Sequence, residues 1–229
     1  MCGRFVQAQP PAYYADSFSV DEIRTDTLPS SWNVAPTDEV YAVADHRGAR
    51  RLGTFRWGLI PFWAKDRKIA ARNINARMET VAEKPAFRDS FVSRRCIIPA
   101  DGFYEWEQRP KGKLPHYIFS ATGTPLALAG LWASWHDPET EERVRSCTII
   151  TGRPNDTVAG LHDRMPAILT PDAWAAWLDP EVDDRDLLLS LLEVYPAADL
   201  AQHPVSTLVN KVANNVPECI VALPPIARA

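Results

Sequence analysis

Proline constrains the fold of this chain more than any other residue type. Among 229 residues there are 20 prolines against 10 glycines, close to twice the usual proline share of about 5%. Proline lacks the backbone N–H and interrupts helices and central strands, so long uninterrupted helices are not expected. The apolar share of 46% is that of an ordinary globular protein, and the length favours one domain over residues 1–229.

Short apolar runs rich in β-branched and aromatic residues predict strands in the middle of the chain. They cover residues 39–44, 96–99, 102–106, 116–119, 126–135 and 144–151. The turn-forming segment 109–113 predicts a hairpin, and 32–37 is expected to be a loop. Helices are expected over 12–18, 171–178 and 184–194. Strands in the middle with flanking helices favour an α+β domain.

Charge is distributed unevenly along the chain. The net charge of −4 argues weakly against a nucleic-acid partner. Residues 51–113, however, hold 14 Lys and Arg against 7 Asp and Glu. This stretch fits a phosphate-binding face or a solvated surface of mixed charge, and the residues alone leave both interpretations open.

Neither a membrane partner nor a metal is predicted. No stretch approaches the roughly 20 apolar residues of a membrane span, and the first residues lack the apolar region of a secretory signal. We therefore expect a cytoplasmic protein. The cysteines at positions 2, 96, 147 and 219 are too far apart for a zinc cluster or a redox pair, and Cys96 and Cys147 lie in apolar runs typical of buried thiols.

Cys2 directly follows Met1, a position that can become the N-terminus of the processed protein. Aminopeptidases remove an initiator methionine when a small residue follows, which would leave Cys2 with a free α-amine. The amine has an ordinary pKa near 8 and the thiol near 8.5, so both are usable nucleophiles. Such an end captures an aldehyde twice, first as a Schiff base and then as a five-membered thiazolidine. It could instead attack an amide, as N-terminal nucleophiles do, or be inert.

Three polar residues are candidates for the accompanying chemistry. Asn75 precedes an expected helix and could bind a sugar or simply cap that helix. Glu105 lies in a strand of aromatic residues that would raise its pKa by desolvation, unless it faces solvent from an edge strand. His162, in a polar cluster, could transfer protons near neutrality or be structural.

Taken together, the ordered segments of the chain resemble the SOS response-associated peptidase (SRAP) family, also described as abasic-site processing proteins. The matching segments are 1–5, 32–36, 57–61, 75–80, 95–99, 102–106, 162–166 and 203–206. Each segment is weak evidence alone, but their order across nearly the whole chain is specific.

The resemblance implies a bifurcated β-sheet folded as a pseudo-barrel with flanking helices. It also implies a DNA-repair protein of the SOS response. In that family, Cys2 would form a covalent thiazolidine crosslink with the sugar aldehyde of an abasic site in single-stranded DNA, after Met1 is removed by an aminopeptidase or by the protein itself. Asn75, Glu105 and His162 would assist as catalytic residues. The implied DNA-binding residues are Arg4, Arg77, Trp63 and Trp106.

Two other functions stay open on the residues alone. One is an N-terminal-nucleophile peptidase or amidohydrolase, which the Met-Cys-Gly start suggests. The other is a non-covalent single-strand binder that uses the basic stretch and tryptophans for stacking. For the preferred function we expect no cofactor and no metal, a monomer, and weak lyase activity, because a Schiff base also permits β-elimination.

Overall fold

The computed structural model describes residues 2–224, in which thirteen strands alternate with short helices. The strands are β1 (Phe5–Gln7), β2 (Glu22–Ile23), β3 (Ser31–Val34), β4 (Glu39–His46), β5 (Ala49–Trp57), β6 (Asn75–Arg77), β7 (Arg95–Ala100), β8 (Gly102–Arg109), β9 (Gly112–Ser120), β10 (Leu126–His136), β11 (Arg143–Gly152), β12 (Met165–Pro166) and β13 (Leu200–Pro204). The α-helices are α1 (Pro11–Ser17), α2 (Arg88–Ser93), α3 (Asp156–Ala159), α4 (Trp174–Leu178) and α5 (Arg185–Ser190).

Short 3₁₀-helices complete the secondary structure of this part of the chain. They are Arg67–Arg72, Met78–Thr80, Pro171–Ala173, Ala197–Asp199, Thr207–Asn210 and Pro217–Ile220. The longest α-helix, α1, has seven residues. The brevity of the helices agrees with the abundance of proline.

Five strands close into a barrel of mixed direction. Strands β11, β10, β7, β4 and β5 follow one another in the larger sheet, and β5 then pairs with β11 to close the circle. That closing pair is parallel and joins Trp57 to Cys147, whereas the other four pairings are antiparallel. Strand β6 pairs in parallel with the next residues of β11, beyond its pairing with β5, and brings Asn75 beside Ile149.

A second sheet of five strands, in the order β13-β9-β8-β1-β3, packs beside the barrel. The buried side chain of Gln7 joins the two sheets. Its amide donates to the carbonyl of Pro99 at 2.8 Å and accepts from the backbone N–H of Tyr41 at 2.7 Å. Because both barrel partners are rigid strands, this contact fixes β1 and the chain start that precedes it.

The hydrophobic core fills the barrel and the space between the sheets. Cys96 and Cys147 are buried thiols inside it, as predicted. Trp57 is also fully buried and donates its indole N–H to the carbonyl of Ile74 at 2.9 Å, so it is a core residue and not a stacking surface. No helix within residues 2–224 has the length and apolar character to cross a membrane.

The structure confirms the predicted fold class and most of the predicted elements. The loop predicted over 32–37 was wrong for residues 32–34, which lie in strand β3, because Val34 pairs with Phe5 of β1. The helix expected over 184–194 ends at Ser190. The segment 171–178 begins with a 3₁₀ turn before α4.

Candidate functional site

Cys2 lies at the entrance to β1, where the two sheets meet. Phe5 pairs with Phe103 of β8, and the backbone N–H of Tyr104 donates to the carbonyl of Arg4 at 3.0 Å. Cys2 is fully buried. Burial raises the pKa of its thiol well above the ordinary value, and the charge of Glu105 raises it further. The group is therefore a neutral thiol at pH 7 and needs a base to react.

Asn75 holds the chain start in place. It is the first residue of β6, and its side-chain amide donates to the carbonyl of Cys2 at 2.8 Å. Its Oδ1 is buried and has no hydrogen-bond partner within residues 2–224. An unsatisfied buried acceptor is costly, so this oxygen is suited to receive a donor from a ligand or from a newly formed amine.

Glu105 is a buried acid beside Cys2. It lies on β8, two residues beyond the pairing with β1, and is only 2% exposed. Burial raises the pKa of its carboxyl from 4.5 to about 7. The alternative of a solvent-facing Glu105 on an edge strand is therefore wrong. A carboxyl that titrates near neutrality can both accept and donate a proton there.

His162 follows α3 in the loop that leads to β12. Its Nδ1 accepts the backbone N–H of Arg164 at 3.0 Å and lies 2.8 Å from Oδ1 of Asp163. Burial lowers the pKa of His162, while Asp163 opposes that shift, so the neutral form prevails at pH 7.

Two ionic hydrogen bonds tie the His162 loop to the segment that carries Asn75. The guanidinium of Arg164 donates to both carboxylate oxygens of Glu79, at 3.0 and 2.8 Å. It also donates to the carbonyl of Thr151. Glu79 lies four residues after Asn75, so this bidentate pair fixes the spacing of two predicted site residues.

An open cavity of about 580 Å³ lies against Glu105 and His162. Its lining residues are Glu105, Trp106, Gln108, Lys113, His162 and Asn210. Trp106 is held there by its indole N–H, which donates to Oδ1 of Asn210 at 2.8 Å. Cys2 and Asn75 are not among the described residues that line the cavity. Asn75 is hydrogen-bonded to Cys2, the charge of Glu105 acts on the Cys2 thiol, and Glu105 shares the cavity with His162, so the four residues form one connected group.

The predicted DNA-binding residues differ in how exposed they are and in how many of their polar atoms already form hydrogen bonds within the protein. Arg77 is exposed and, two residues along β6 from Asn75, points to the same side. Trp63 is 47% exposed. Arg4 is partly committed to the fold, because one guanidinium nitrogen donates to Asn33 at 2.7 Å and to the carbonyl of Val209 at 2.9 Å.

Sequence reasoning missed four residues. Gln108, Lys113 and Asn210 line the cavity, and Phe62, beside Trp63, is 63% exposed. Lys113 was not predicted because the sequence placed it in the turn 109–113 and not in a strand. A shorter turn at Pro110 would have placed Lys113 opposite Gln108, as observed. Phe62 could have been predicted from its position next to Trp63 in the sequence. Asn210 could not, because only the fold brings it to the cavity.

No group of three or more His, Cys, Asp or Glu in the described residues could hold a metal ion. The side chains at the site are instead a thiol, a carboxyl, an imidazole, an amide and an amine. That set serves proton transfer and nucleophilic attack.

Comparison with known proteins identifies relatives of this chain. YoqW of Bacillus subtilis, an abasic site processing protein, is 45% identical over 222 residues, covering 96% of this chain and 99% of YoqW. The abasic site processing protein YedK of Escherichia coli is 30% identical, covering 96% and 99%. HMCES of Xenopus tropicalis, also named an abasic site processing protein, is 38% identical over 76% of this chain and 58% of its own length.

Solved structures of other proteins have the same fold. A protein from Bacteroides thetaiotaomicron superimposes with a TM-score of 0.87 at 25% identity, covering 97% of this chain and all of that one. Residues 1–212 match the family described as SOS response associated peptidase (SRAP). The chain belongs to the SRAP family.

Proposed function

We propose that this protein processes abasic sites in DNA repair, by forming a covalent crosslink between Cys2 and the sugar aldehyde of an abasic site in single-stranded DNA. Relatives that carry the name abasic site processing protein support the substrate. The observation that carries the mechanism is the placement of the Cys2 thiol beside a buried acid that titrates near pH 7.

The reaction begins with removal of Met1, which lies outside the described residues. The freed α-amine of Cys2 adds to the aldehyde carbon, and loss of one water gives an imine. The Cys2 sulfur then attacks the imine carbon, and the thiol proton ends on the nitrogen. The product is a thiazolidine, in which one carbon is bonded to both the nitrogen and the sulfur of Cys2. The bond count needs no oxidant and no cofactor.

Glu105 and His162 move the protons in these steps. The ionised form of Glu105 accepts a proton from the α-amine or from the thiol, and its acid form returns one to the departing hydroxyl. His162, neutral at pH 7 and facing the same cavity, exchanges protons with the sugar. Asn75 Oδ1, a buried acceptor without a partner in residues 2–224, accepts a hydrogen bond from the new α-amine or from a sugar hydroxyl.

Exposed cations and aromatic rings hold the strand. Arg77 is placed to contact phosphate, while Trp63 and Phe62 offer rings on which bases stack. Trp106 lines the cavity itself. Arg4 supports the chain start and contributes its remaining guanidinium nitrogens. The same imine allows slow β-elimination, so weak strand scission that depends on Cys2 accompanies crosslinking.

A denaturing gel tests this proposal. Protein with Met1 removed, as verified by intact mass, is mixed with single-stranded DNA containing one abasic site, beside Cys2→Ala. We expect an adduct that survives denaturation with the wild type and is absent with Cys2→Ala. Fully processed protein that forms no adduct would overturn the proposal. Turnover of a peptide or glutamine would then favour a hydrolase, and equal DNA affinity of both proteins a non-covalent binder.

A further inference from the structure

We infer that Lys113 is a phosphate-binding residue, which holds the phosphodiester adjacent to the captured sugar. The inference rests on the proposed function and assigns a role to a cavity residue that the crosslinking chemistry does not use. The ligand is one linkage of the DNA backbone, next to the abasic sugar on its 3′ or 5′ side.

The β8–β9 hairpin sets the position of Lys113. Gln108 pairs with Lys113, and Arg109 with Gly112, leaving a two-residue turn. Gly112 has a φ of +86° with no atom near the place of a Cβ, so the tight turn is unstrained. Strand β1 pairs with β8 only at Gly102 and Phe103. The hairpin therefore extends past β1 and forms one wall of the cavity.

Among the lining residues within 2–224, Lys113 is the one lysine or arginine and Glu105 is the one acid. The charge of the Lys113 amine lies close enough to act on both Glu105 and His162. Lys113 is exposed and has no ion pair in residues 2–224. The neighbouring acid, Glu107, instead forms an ion pair with Arg109 at 2.9 Å, and it lies 3.2 Å from Nε2 of His116.

A phosphate fits this position better than a base does. An abasic sugar offers no base to stack, so its binding must come from the flanking backbone and neighbouring nucleotides. A lysine amine is a compact point charge suited to phosphate. The buried carboxyl of Glu105, when ionised, would repel the phosphate that enters with the sugar, and Lys113 offsets that repulsion. The flat ring of Trp106 is left for a neighbouring base.

Backbone neutralisation tests the inference. Abasic single strands are prepared with one uncharged methylphosphonate at each linkage in turn, and the crosslinking rate is measured below saturation. For the wild type we expect one linkage next to the abasic sugar at which the change slows the reaction about tenfold. The Lys113→Gln variant should crosslink ordinary DNA about tenfold more slowly than the wild type. A methylphosphonate at that linkage should not change its crosslinking rate further, whereas methylphosphonates at other linkages should affect it as they affect the wild type.

Lys111→Gln is the matched control, because Lys111 is an exposed lysine of the same hairpin outside the cavity lining. It should behave as wild type, and Lys113→Arg should restore most of the rate. The inference is overturned if Lys113→Gln crosslinks at the wild-type rate, or stays sensitive to neutralisation at every linkage. A wild-type protein that forms no adduct on any strand would overturn the proposed function as well.

Discussion

Glu105 shows how one residue gains its chemistry from its surroundings. Both nucleophiles of Cys2 carry a proton at pH 7, since the amine has an ordinary pKa near 8 and burial raises the pKa of the thiol. In the proposed reaction the base is therefore the ionised form of Glu105, whose pKa is about 7. Burial thus brings the pKa of the proposed base close to the pH at which the reaction takes place.

The crosslinking rate should accordingly rise with pH through about 7 and flatten above it. We expect Glu105→Gln to lose this inflection and to be slower by about 10²-fold or more, the usual contribution of a general base. Single-turnover rates between pH 5 and 9 provide the measurement. A rate that falls through pH 7 would show that Glu105 acts as an acid in the slow step.

The same residue should weaken the fold. A carboxyl whose pKa rises from 4.5 to about 7 on folding binds its proton more tightly in the native state, so stability is lost as pH rises between those values. The shift corresponds to roughly 3 kcal/mol at most. Urea unfolding should show Glu105→Gln more stable than wild type at pH 8, with the gain shrinking towards pH 4.5. A gain independent of pH would rule out this origin.

At the scale of elements, the Arg164–Glu79 pair sets the distance between the His162 loop and β6. Arg164 is mostly buried and Glu79 half exposed, so solvent screening keeps the contribution to stability below about 1 kcal/mol. We expect Glu79→Gln to leave unfolding nearly unchanged and to slow crosslinking several-fold while the pH inflection of Glu105 persists. Glu83→Gln, in the following turn and without an ion pair in residues 2–224, is the control. Equal rates for both variants would exclude a positioning role.

The elements also show how far a sequence can be interpreted. Apolar runs predicted β7, β10 and β11 because each strand is buried and continuous. The pattern of β8 left open whether Glu105 faces solvent, since alternation gives two faces without saying what covers them. Burial of Glu105 depends on β1 and the chain start, which lie a hundred residues away. Family resemblance, not periodicity, supplied the abasic-site substrate.

At the scale of the whole molecule, one buried guanidinium joins the helices to the barrel. Arg95 of β7 donates to the carbonyls of Trp177 at 2.6 Å, Phe91 at 2.9 Å and Val182 at 2.9 Å. Two further carbonyls, of Val92 and Asp179, complete the set. Residues of α2, α4 and the chain after α4 thus meet at a single side chain, although each segment is too short to be stable alone.

Arg95→Leu should therefore cost more than about 3 kcal/mol, because several buried carbonyls lose their donors at about 1–3 kcal/mol each. The midpoint of urea unfolding measures this loss. Arg88→Leu, at an exposed position of α2 paired only with its neighbour Asp89, should change the midpoint little. Equal midpoints for the two variants would contradict the joining role of Arg95.

For the molecule as a whole, the central proposal is that Cys2 carries the reaction, and the covalent structure of the adduct tests it most directly. Tryptic digestion of the crosslink should yield the peptide Cys2–Arg4 attached to the sugar, with the loss of one water and no free thiol. Borohydride should leave the mass unchanged, because a thiazolidine has no imine to reduce. A gain of two hydrogens would show an open Schiff base, and an adduct on any other peptide would contradict the role of Cys2.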